Sequence, residues 1–271
     1  MIKKVETLKD YTEFVDYFYA EGDFIDPHII SEEDKINLLT QKRETKESLV
    51  ILSGNKVIGA FVLLVLPDEL YIEMLLGLSK EEKAYLELFE YLKSNYKGYN
   101  CDFVFNAKNY LLKNILKGYD ATFETEQMKM IYSPKKLDMS FDEIKPLEDK
   151  YCDEYLNIHE KDTYWTGEKV IKAKDRFSVY VALDNDKVIG YIDVTNCFKE
   201  NEPYDIYVKE EYRNKGYGKK LLAKALYENK DNDMMLLVDI DNIAAIKVYK
   251  KCGFIEDKYP HYLTAHISKL L

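Results

Sequence analysis

Residues 208–222 read VKEEYRNKGYGKKLL, and this stretch decides the fold of the second half of the chain. A strand ends at Val208, a turn rich in charge and glycine follows, and an amphipathic helix then begins. One face of that helix carries apolar side chains, namely Leu221, Leu222, Ala225 and Leu226. Glycine at the start of a helix lets the backbone approach a ligand, and the unpaired N–H groups with the helix dipole favour a phosphate.

Glycine pairs before a helix also occur in loops that bind no ligand, so this fragment alone leaves both interpretations open. The GxxxxGK[ST] pattern of nucleotide-binding P-loops is absent. The third glycine and the downstream acid of dinucleotide-binding folds are absent as well. Lys215, Lys219 and Lys220 add positive charge, which is compatible with a phosphate ligand of another kind.

The same order of predicted elements occurs twice along the chain: strand, strand, strand, helix, strand, helix, strand. The first copy has strands at Ser48–Ser53, Lys56–Leu66 and Glu69–Leu76, a helix at Lys80–Tyr96, a strand at Cys101–Phe105 and a helix opened by Asn106 and closed at Gly118. The second has strands at Ser178–Leu183, Lys187–Val194 and Tyr204–Val208, a helix at Gly218–Asn229, a strand at Met234–Asp239 and a helix opened by Asn242 and closed at Gly253. Internal duplication explains this order better than two unrelated α+β halves. The polar stretch Ser133–Lys136 predicts the boundary, with domains at 1–134 and 135–271.

Two segments resemble the GNAT family of acetyltransferases. The loop RNKGYG at 213–218 matches that family's [R/Q]-x-x-G-x-[G/A] loop, and LVDIDNIAAIKVYKKCGF at 237–254 is similar to its fifth strand and following helix. The resemblance covers residues 137–271 and reaches the first half only through the repeat. It implies an α/β (α+β) fold with two tandem GNAT-like domains, each a mixed, mostly antiparallel twisted sheet flanked by helices. It also implies transfer of an acetyl group from acetyl-CoA to a primary amine in a ternary complex.

The resemblance assigns roles to residues of the second half. The loop would hold the CoA pyrophosphate through Arg213, Asn214, Lys215, Gly216, Tyr217, Gly218 and Lys219. The preceding strand would pair with the pantetheine arm through Ile206, Tyr207 and Val208, one of whose N–H groups would polarise the thioester. Asn242 would contact the cofactor, cap its helix, or do both. Tyr249 would protonate the departing thiolate, although one of 24 tyrosines can equally be a packing residue.

The general base is less sharply indicated, because the acid that some family members carry on the fifth strand is Leu237 here. Glu202 is the first candidate and Asp205 the second, with a solvated acidic loop as the alternative for either. Trp165, in the segment Asp162–Gly167, is a candidate acceptor-binding residue together with Asp205, although a core tryptophan is the more common outcome. His159, His261 and His266 show no ligand or triad spacing, and the four cysteines form no CxxC pair, so we expect no metal.

The first half has lost the loop. Where the second half has Arg213–Gly218, the first has Gly77–Glu82, in which Ser79 and Glu82 have the spacing of a helix-capping box. Tyr249 aligns with Asn114 when the repeats are superimposed on their closing glycines. We therefore expect a degenerate first domain that does not bind CoA.

Composition limits the partners. The net charge of -10 argues against nucleic-acid binding and is compatible with a cationic small-molecule or peptide amine. No apolar run reaches the length of a membrane span, and scattered cysteines are typical of a reduced compartment, so we expect a cytoplasmic protein without membrane partners, as monomer or dimer. The alternative function is a GNAT fold that binds or senses acyl-CoA without turnover.

Overall fold

The computed structural model describes residues 1–20, 32–42, 44–134, 140–161, 163–257 and 261–270. Lys135 and Lys136 of the predicted boundary, and Asp162 beside the candidate acceptor residues, lie outside the described residues. Within the part of the chain that the structure describes, no helix is both long enough and apolar enough to cross a bilayer.

The predicted strands and helices of each copy follow one another in the expected order. The strands are β1 (Ile2–Val5), β2 (Lys46–Ser53), β3 (Lys56–Leu66), β4 (Tyr71–Leu78), β5 (Asn100–Asn106), β6 (Thr122–Phe123), β7 (Gln127–Tyr132), β8 (Ile144–Pro146), β9 (Phe177–Asp184), β10 (Lys187–Thr195), β11 (Glu200–Asn201), β12 (Pro203–Val208), β13 (Asp233–Asp239), β14 (Phe254–Glu256) and β15 (Tyr262–Ile267). The helices are α1 (Thr12–Ala20), α2 (Glu32–Thr40), α3 (Glu82–Asn95), α4 (Tyr110–Gly118), α5 (Cys152–Ile158), α6 (Gly167–Lys172), α7 (Tyr217–Glu228) and α8 (Ile243–Cys252). The predicted fold class, mixed sheets flanked by helices, is confirmed.

Both predicted hairpins form around two-residue turns. Gly54, with φ of 62°, connects β2 to β3, and Asn185 and Asp186, with φ of 49° and 60°, connect β9 to β10. Turns of this kind need a left-handed backbone, which glycine, asparagine and aspartate tolerate best.

The chain divides into two compact units. Unit one comprises Met1–Lys129, Asp239–Asp241 and Lys258–Leu271. Its strands lie in the order β1-β2-β3-β4-β5-β15, with β6 also paired to β15; only β4 and β5 run parallel among these described pairs. Leu49 and Ile51 enter a core with α3 and α4, whereas Val50 between them enters a core with α1 and α2, because side chains alternate across a strand.

Unit two comprises Met130–Val238 and Asn242–Asp257. A four-stranded antiparallel sheet has the order β12-β10-β9-β8, and both α5 and α7 pack on it. In a second group of strands, β13 lies between β11 and β7, and the end of β7 pairs with β14. The apolar face predicted for α7 is buried, since Leu221, Leu222, Ala225 and Leu226 are at most 4% exposed.

Each unit includes a strand from the other of the two predicted domains, 1–134 and 135–271. In unit one, β15 pairs with β5 over six residues, from Tyr262 opposite Asn106 to Ile267 opposite Cys101. In unit two, Met130–Tyr132 of β7 pairs with β14. The predicted domains at 1–134 and 135–271 describe the sequence repeat, and the compact units have other limits because of this exchange.

Two local predictions about the first half are wrong. The residue that caps α4 is Asn109, whose side chain accepts from Leu112 N–H at 3.1 Å, and not Asn106, which ends β5. The capping box at the start of α3 does not form, because the Ser79 hydroxyl donates to the Ile58 carbonyl at 2.7 Å and the helix begins only at Glu82. In both cases the strand continues further than the sequence pattern indicates.

Candidate active site

The backbone of β12 is exposed at a sheet edge. Among the described strands β12 pairs with β10 alone in its sheet, and Lys209 N–H donates to the Ile189 carbonyl at 2.9 Å. Antiparallel pairing alternates inward and outward groups, so the backbone groups of Tyr207 bond to β10. Those of Ile206 and Val208 therefore point away from β10, toward the open edge. Of the three predicted strand residues, these two have the backbone orientation that an added ligand needs.

Strands β12 and β13 separate at this edge. Glu200 lies opposite Asp233 in a short parallel pairing of β11 with β13, after which the chain turns onto β10 through Pro203. Proline has no N–H to extend the pairing with β13. A bulge at Tyr204, between the pairs that join Pro203 and Asp205 to β10, bends the strand further. A gap thus opens between two neighbouring strands.

The glycine loop ends in an uncapped helix. Asn214 and Gly216 adopt left-handed backbone conformations, with φ of 62° and 89°, and α7 begins at Tyr217. No side chain among the described residues caps this helix, and its first backbone bond runs from Lys220 N–H to the Gly216 carbonyl at 3.1 Å. The N–H groups of the first turn therefore lack a side-chain acceptor, which is the condition for binding an anion.

Open space adjoins the same turn. A Cβ added at Gly218 would meet no heavy atom within 4 Å, and neither would one added at Gly216. Packing inside the protein therefore does not require glycine at 218. A glycine that only a ligand needs is a feature of cofactor loops.

The cationic side chains of the loop differ in exposure and in the groups that they contact. Arg213 is exposed, and its Nε donates to the Val208 carbonyl at 3.0 Å. Lys215 is exposed as well, with its ammonium 5.0 Å from the centre of the Tyr212 ring. Lys220 instead forms an ion pair with Glu143, so its charge is partly compensated.

Helix α8 positions Asn242 and Tyr249. The Asn242 side chain accepts from Ala245 N–H at 3.1 Å, so it is a helix cap; cofactor contact by its remaining amide group stays a prediction. Tyr249 is 9% exposed and packs against Phe254. Burial, followed by the charges of Asp205 and Glu202, raises the pKa of Tyr249 to about 12, so its phenol stays protonated at neutral pH. No hydrogen-bond partner for this hydroxyl occurs among the described residues.

The two acidic candidates lie in the electrostatic range of Tyr249. Glu202 precedes β12, and its backbone N–H donates to the Thr195 hydroxyl at 2.7 Å. Asp205 lies within β12, with a side chain 27% exposed that accepts from the Tyr191 hydroxyl. The structure thus brings Glu202, Asp205 and Tyr249 into one neighbourhood at the open edge.

Trp165 is half-buried in an aromatic group. Its ring lies 5.0 Å from that of Phe177 and 5.6 Å from that of Tyr164, and the Arg176 guanidinium lies 5.0 Å above it. Phe177 in turn contacts Tyr204 of the β12 bulge. This group extends from β12 to the loop before α6, so a substrate role for Trp165 stays a prediction compatible with its position.

A buried polar cluster beneath β12 was not predicted from the sequence. Asp193 is fully buried and accepts from the Tyr155 hydroxyl at 2.9 Å and from His159 Nε2 at 2.8 Å. The other ring nitrogen of His159 contacts the Glu160 carbonyl at 2.7 Å. Asp205 is the next group, with Oδ2 3.9 Å from His159 Nε2. Two features of the sequence indicate this cluster. An aspartate lies inside the apolar run Lys187–Val194, and Tyr155 and His159 lie one helical turn apart.

The same cluster offers three candidate metal ligands, because one ligand atom each from His159, Asp193 and Asp205 lies within 4.8 Å of the others. The 2.8 Å contact between His159 and Asp193 is that of a direct hydrogen bond. Tyrosine hydroxyls bond to both carboxylates. The arrangement therefore fits shared protons, and the expectation of no metal stays a prediction.

The corresponding place in unit one is filled by protein. Strands β4 and β5 pair only from Tyr71 to Met74 and then diverge. Tyr85 of α3, fully buried, directs its hydroxyl at the Gly77 carbonyl at 3.4 Å and receives a hydrogen bond from the Asn109 amide at 3.1 Å. Side chains of the unit itself thus bond to the end of β4 at this place, although the start of α3, like that of α7, has no side-chain cap among the described residues.

A known protein family matches the part of the chain that holds the splayed strands and the uncapped glycine loop of unit two. The family model described as "Acetyltransferase (GNAT) family" matches residues 144–254. This match confirms the resemblance of the second half of the chain to the family.

Solved structures share the fold of the whole chain. An acetyltransferase from the GNAT family of Colwellia psychrerythraea is 13% identical, with a TM-score of 0.54, over 99% of this chain and 100% of that chain. A tandem GNAT protein from the clavulanic acid biosynthesis pathway is 12% identical, with a TM-score of 0.59, over 98% of each chain. A putative acetyltransferase from Pyrococcus horikoshii is 10% identical, with a TM-score of 0.56, over 99% of this chain and 89% of that chain. No curated protein matches the chain.

Proposed function

We propose that the chain is an N-acyltransferase that transfers the acetyl group of acetyl-CoA to a primary amine. The observation that carries the proposal is the uncapped start of α7 beside the open edge of β12. Gly216 supplies the left-handed turn there, and Gly218 leaves space in front of the first-turn N–H groups. Such a turn suits the pyrophosphate of CoA.

Backbone groups of Ile206 and Val208 would pair with the pantetheine arm, because they point to the open edge. The N–H of one of them would hydrogen-bond the thioester oxygen, where negative charge develops during attack. The exposed side chains of Arg213 and Lys215 add positive charge beside the phosphates. In this assignment Tyr207 contributes through its side chain, which stacks on Tyr191 with centroids 6.0 Å apart.

Proton transfer would involve the three groups near the open edge. Tyr249, held as a phenol by its raised pKa, would donate to the sulfur that leaves. Glu202 or Asp205 would take the proton of the amine. Their negative charges also favour a cationic acceptor, either a small molecule or a peptide amine.

We also propose that the sequence repeat at 1–134 is a copy that does not bind CoA. The buried Tyr85 supports this, because its side chain lies where CoA would bind in a functional copy and is held there by hydrogen bonds with Gly77 and Asn109. In addition, Glu81 and Glu82 at the start of α3 would repel a pyrophosphate. The repeat at 135–271 would supply the CoA-binding residues.

Calorimetric titration of acetyl-CoA into the full chain tests the proposal. One binding site is expected, abolished in the double variant Gly216→Asp, Gly218→Asp. Absence of binding to the wild type would refute the acyl-CoA function, and binding at two sites would refute the degenerate first copy. A panel of amines with thiol release as readout then separates an enzyme from a protein that only binds acyl-CoA.

A further inference from the structure

The buried cluster beneath β12 is built to handle a proton. We propose that His159 is a positioning residue: by sharing one proton with Asp193, it keeps the Asp205 carboxylate available to take the proton of the acceptor amine. This role rests on the acyltransferase function proposed above, and it selects Asp205 over Glu202 as the proton acceptor.

The contacts of His159 show that one proton lies between it and Asp193. Its Nδ1 faces the Glu160 carbonyl at 2.7 Å, and a carbonyl oxygen only accepts, so Nδ1 carries a hydrogen. Its Nε2 faces Asp193 Oδ2 at 2.8 Å, where two lone pairs would repel each other. A second hydrogen must therefore lie between imidazole and carboxylate, so the pair together carries no net charge.

The surroundings support this sharing. Burial disfavours the imidazolium, but the hydrogen bonds to Asp193 and to the Glu160 carbonyl dominate and raise the pKa of His159. Burial raises the pKa of Asp193, and the hydrogen bonds from His159 and Tyr155 oppose that rise. The ring of His159 is also fixed by stacking on Tyr191, with centroids 4.9 Å apart and planes at 13°.

Asp205 depends on that shared proton. Asp193 and Asp205 lie directly opposite each other on β10 and β12, and like charges in that relation repel. The proton on His159 Nε2 offsets the repulsion, because this nitrogen lies 3.9 Å from Asp205 Oδ2.

Asp205 is the member of the cluster that can exchange protons with a substrate, since its side chain is 27% exposed while that of Asp193 is fully buried. In the balanced reaction an ammonium first gives one proton to Asp205. The neutral amine then forms the C–N bond as the C–S bond breaks. Its second proton reaches the thiolate through Tyr249, and Asp205 releases the first proton to water.

Several other ionisable groups face the cluster from the elements around it. They are Tyr155 of α5, Tyr191 of β10, Glu202 and Tyr204 at the start of β12, and Tyr249 of α8. Glu160 contacts the cluster through its backbone. The tyrosines are neutral near pH 7, so Glu202 is the additional charge that a titration must consider.

Nitrogen NMR of the histidine rings tests the coupling without any acceptor. The chain has four histidines, and the signal lost in His159→Gln identifies the ring. The wild-type ring is expected to stay doubly protonated to a higher pH than an ordinary imidazole, because its hydrogen bonds raise its pKa. Asp205→Asn should lower its titration midpoint by about one pH unit, and Asp193→Asn by more. His261→Gln is the matched control, since His261 pairs with Glu126 and should leave the His159 signal unchanged.

An unchanged midpoint in Asp205→Asn would overturn the proposal, because the two groups would then not be coupled. A stoichiometric bound metal that disappears in His159→Gln would overturn it too. The proposed function is judged separately, by acetyl-CoA binding to the wild type, so the two failures are distinguishable.

Kinetics test the role of Asp205 itself. Ethylamine is protonated at neutral pH, whereas trifluoroethylamine is not and needs no base before attack. Asp205→Asn should lower kcat/KM for ethylamine by about 10²-fold more than for trifluoroethylamine. His159→Gln should move the acid limb of the ethylamine pH profile to higher pH. Equal losses for both amines, or an unmoved limb, would show a merely structural role.

Discussion

Replacing Gly218 with alanine separates ligand binding from folding, because the added methyl group meets no protein atom within 4 Å. The residue lies in the first turn of α7 and has no left-handed backbone that alanine would strain. Alanine in place of a helical glycine favours folding by up to about 1 kcal/mol. We therefore expect Gly218→Ala to melt at the wild-type temperature or slightly above it.

The same methyl group would stand in front of the N–H groups that the phosphates need. We expect acetyl-CoA to bind 10- to 100-fold more weakly, which corresponds to about 1.4–2.8 kcal/mol. Calorimetric titration measures the affinity, and thermal unfolding without ligand measures the stability of the same preparation.

Gly118→Ala is the matched control, because a Cβ at Gly118 also meets no heavy atom and that residue lies in the last turn of α4 in unit one. It should raise the stability by a similar small amount and leave the affinity for acetyl-CoA unchanged. Wild-type affinity in Gly218→Ala would refute the assignment of the open space to a cofactor. Equal weakening in both variants would trace the effect to something other than the loop.

Three further substitutions test other parts of the molecule. Tyr249→Phe should lower acetyl-CoA turnover by about 10²-fold with unchanged acetyl-CoA affinity, and a parallel loss of affinity would contradict a proton-donor role. His266 is held between Asp102 and Glu124, whose hydrogen bonds raise its pKa to about 10. Because this pKa exceeds the unfolded value of about 6.5, the stabilisation is complete below pH 6.5 and is lost as pH rises through 10. Wild type should therefore lose roughly 1–2 kcal/mol over that interval relative to His266→Gln, after discounting for solvent screening, and parallel denaturation curves would contradict this. Gly190→Ala should destabilise unit two by about 1–3 kcal/mol, because its Cβ would lie 2.6 Å from the Tyr207 carbonyl; an unchanged melting temperature would show that β12 yields freely.

Local structure is largely predictable from this sequence. The hairpins, the glycine loop and the closing Gly253 depend on residues within a few positions of one another, and they occur as expected. Gly253, for example, ends α8 in the left-handed conformation with φ of 104°. Gly118 instead lies in the last turn of α4 without a left-handed backbone, and Tyr119 is the C-cap. Errors arose where two local solutions compete, as at Asn106 and Asn109, each of which can begin a helix.

Pairing between distant strands could not be predicted. The sequence of Tyr262–Ile267 indicates a strand, but nothing in it specifies β5 as the partner rather than a neighbour in the second half. Such a choice depends on which edge is open once the other strands have paired. The compact units consequently differ from the sequence repeat.

The candidate site likewise has a local part that the sequence predicts and a long-range part that it does not. The loop was found because its chemistry depends on contiguous residues, whereas the cluster of His159, Asp193 and Asp205 joins residues from a helix end and two strands. The spacing of Tyr155 and His159 indicates that these two lie on one helix face, but no spacing in sequence indicates that they meet the two strands. The stronger signal is Asp193 itself, since a carboxylate in an apolar strand is buried only when partners satisfy it.

The exchanged strand also affects how the protein is made. During synthesis β4 and most strands of unit one emerge first, but β5 lacks its second partner until Tyr262–Ile267 leaves the ribosome, after all of unit two. For that time the nascent chain exposes an unpaired edge, the kind of surface at which chains associate wrongly. Yield in the cell should therefore depend on the rate of translation across the second half and on chaperones that cover that edge.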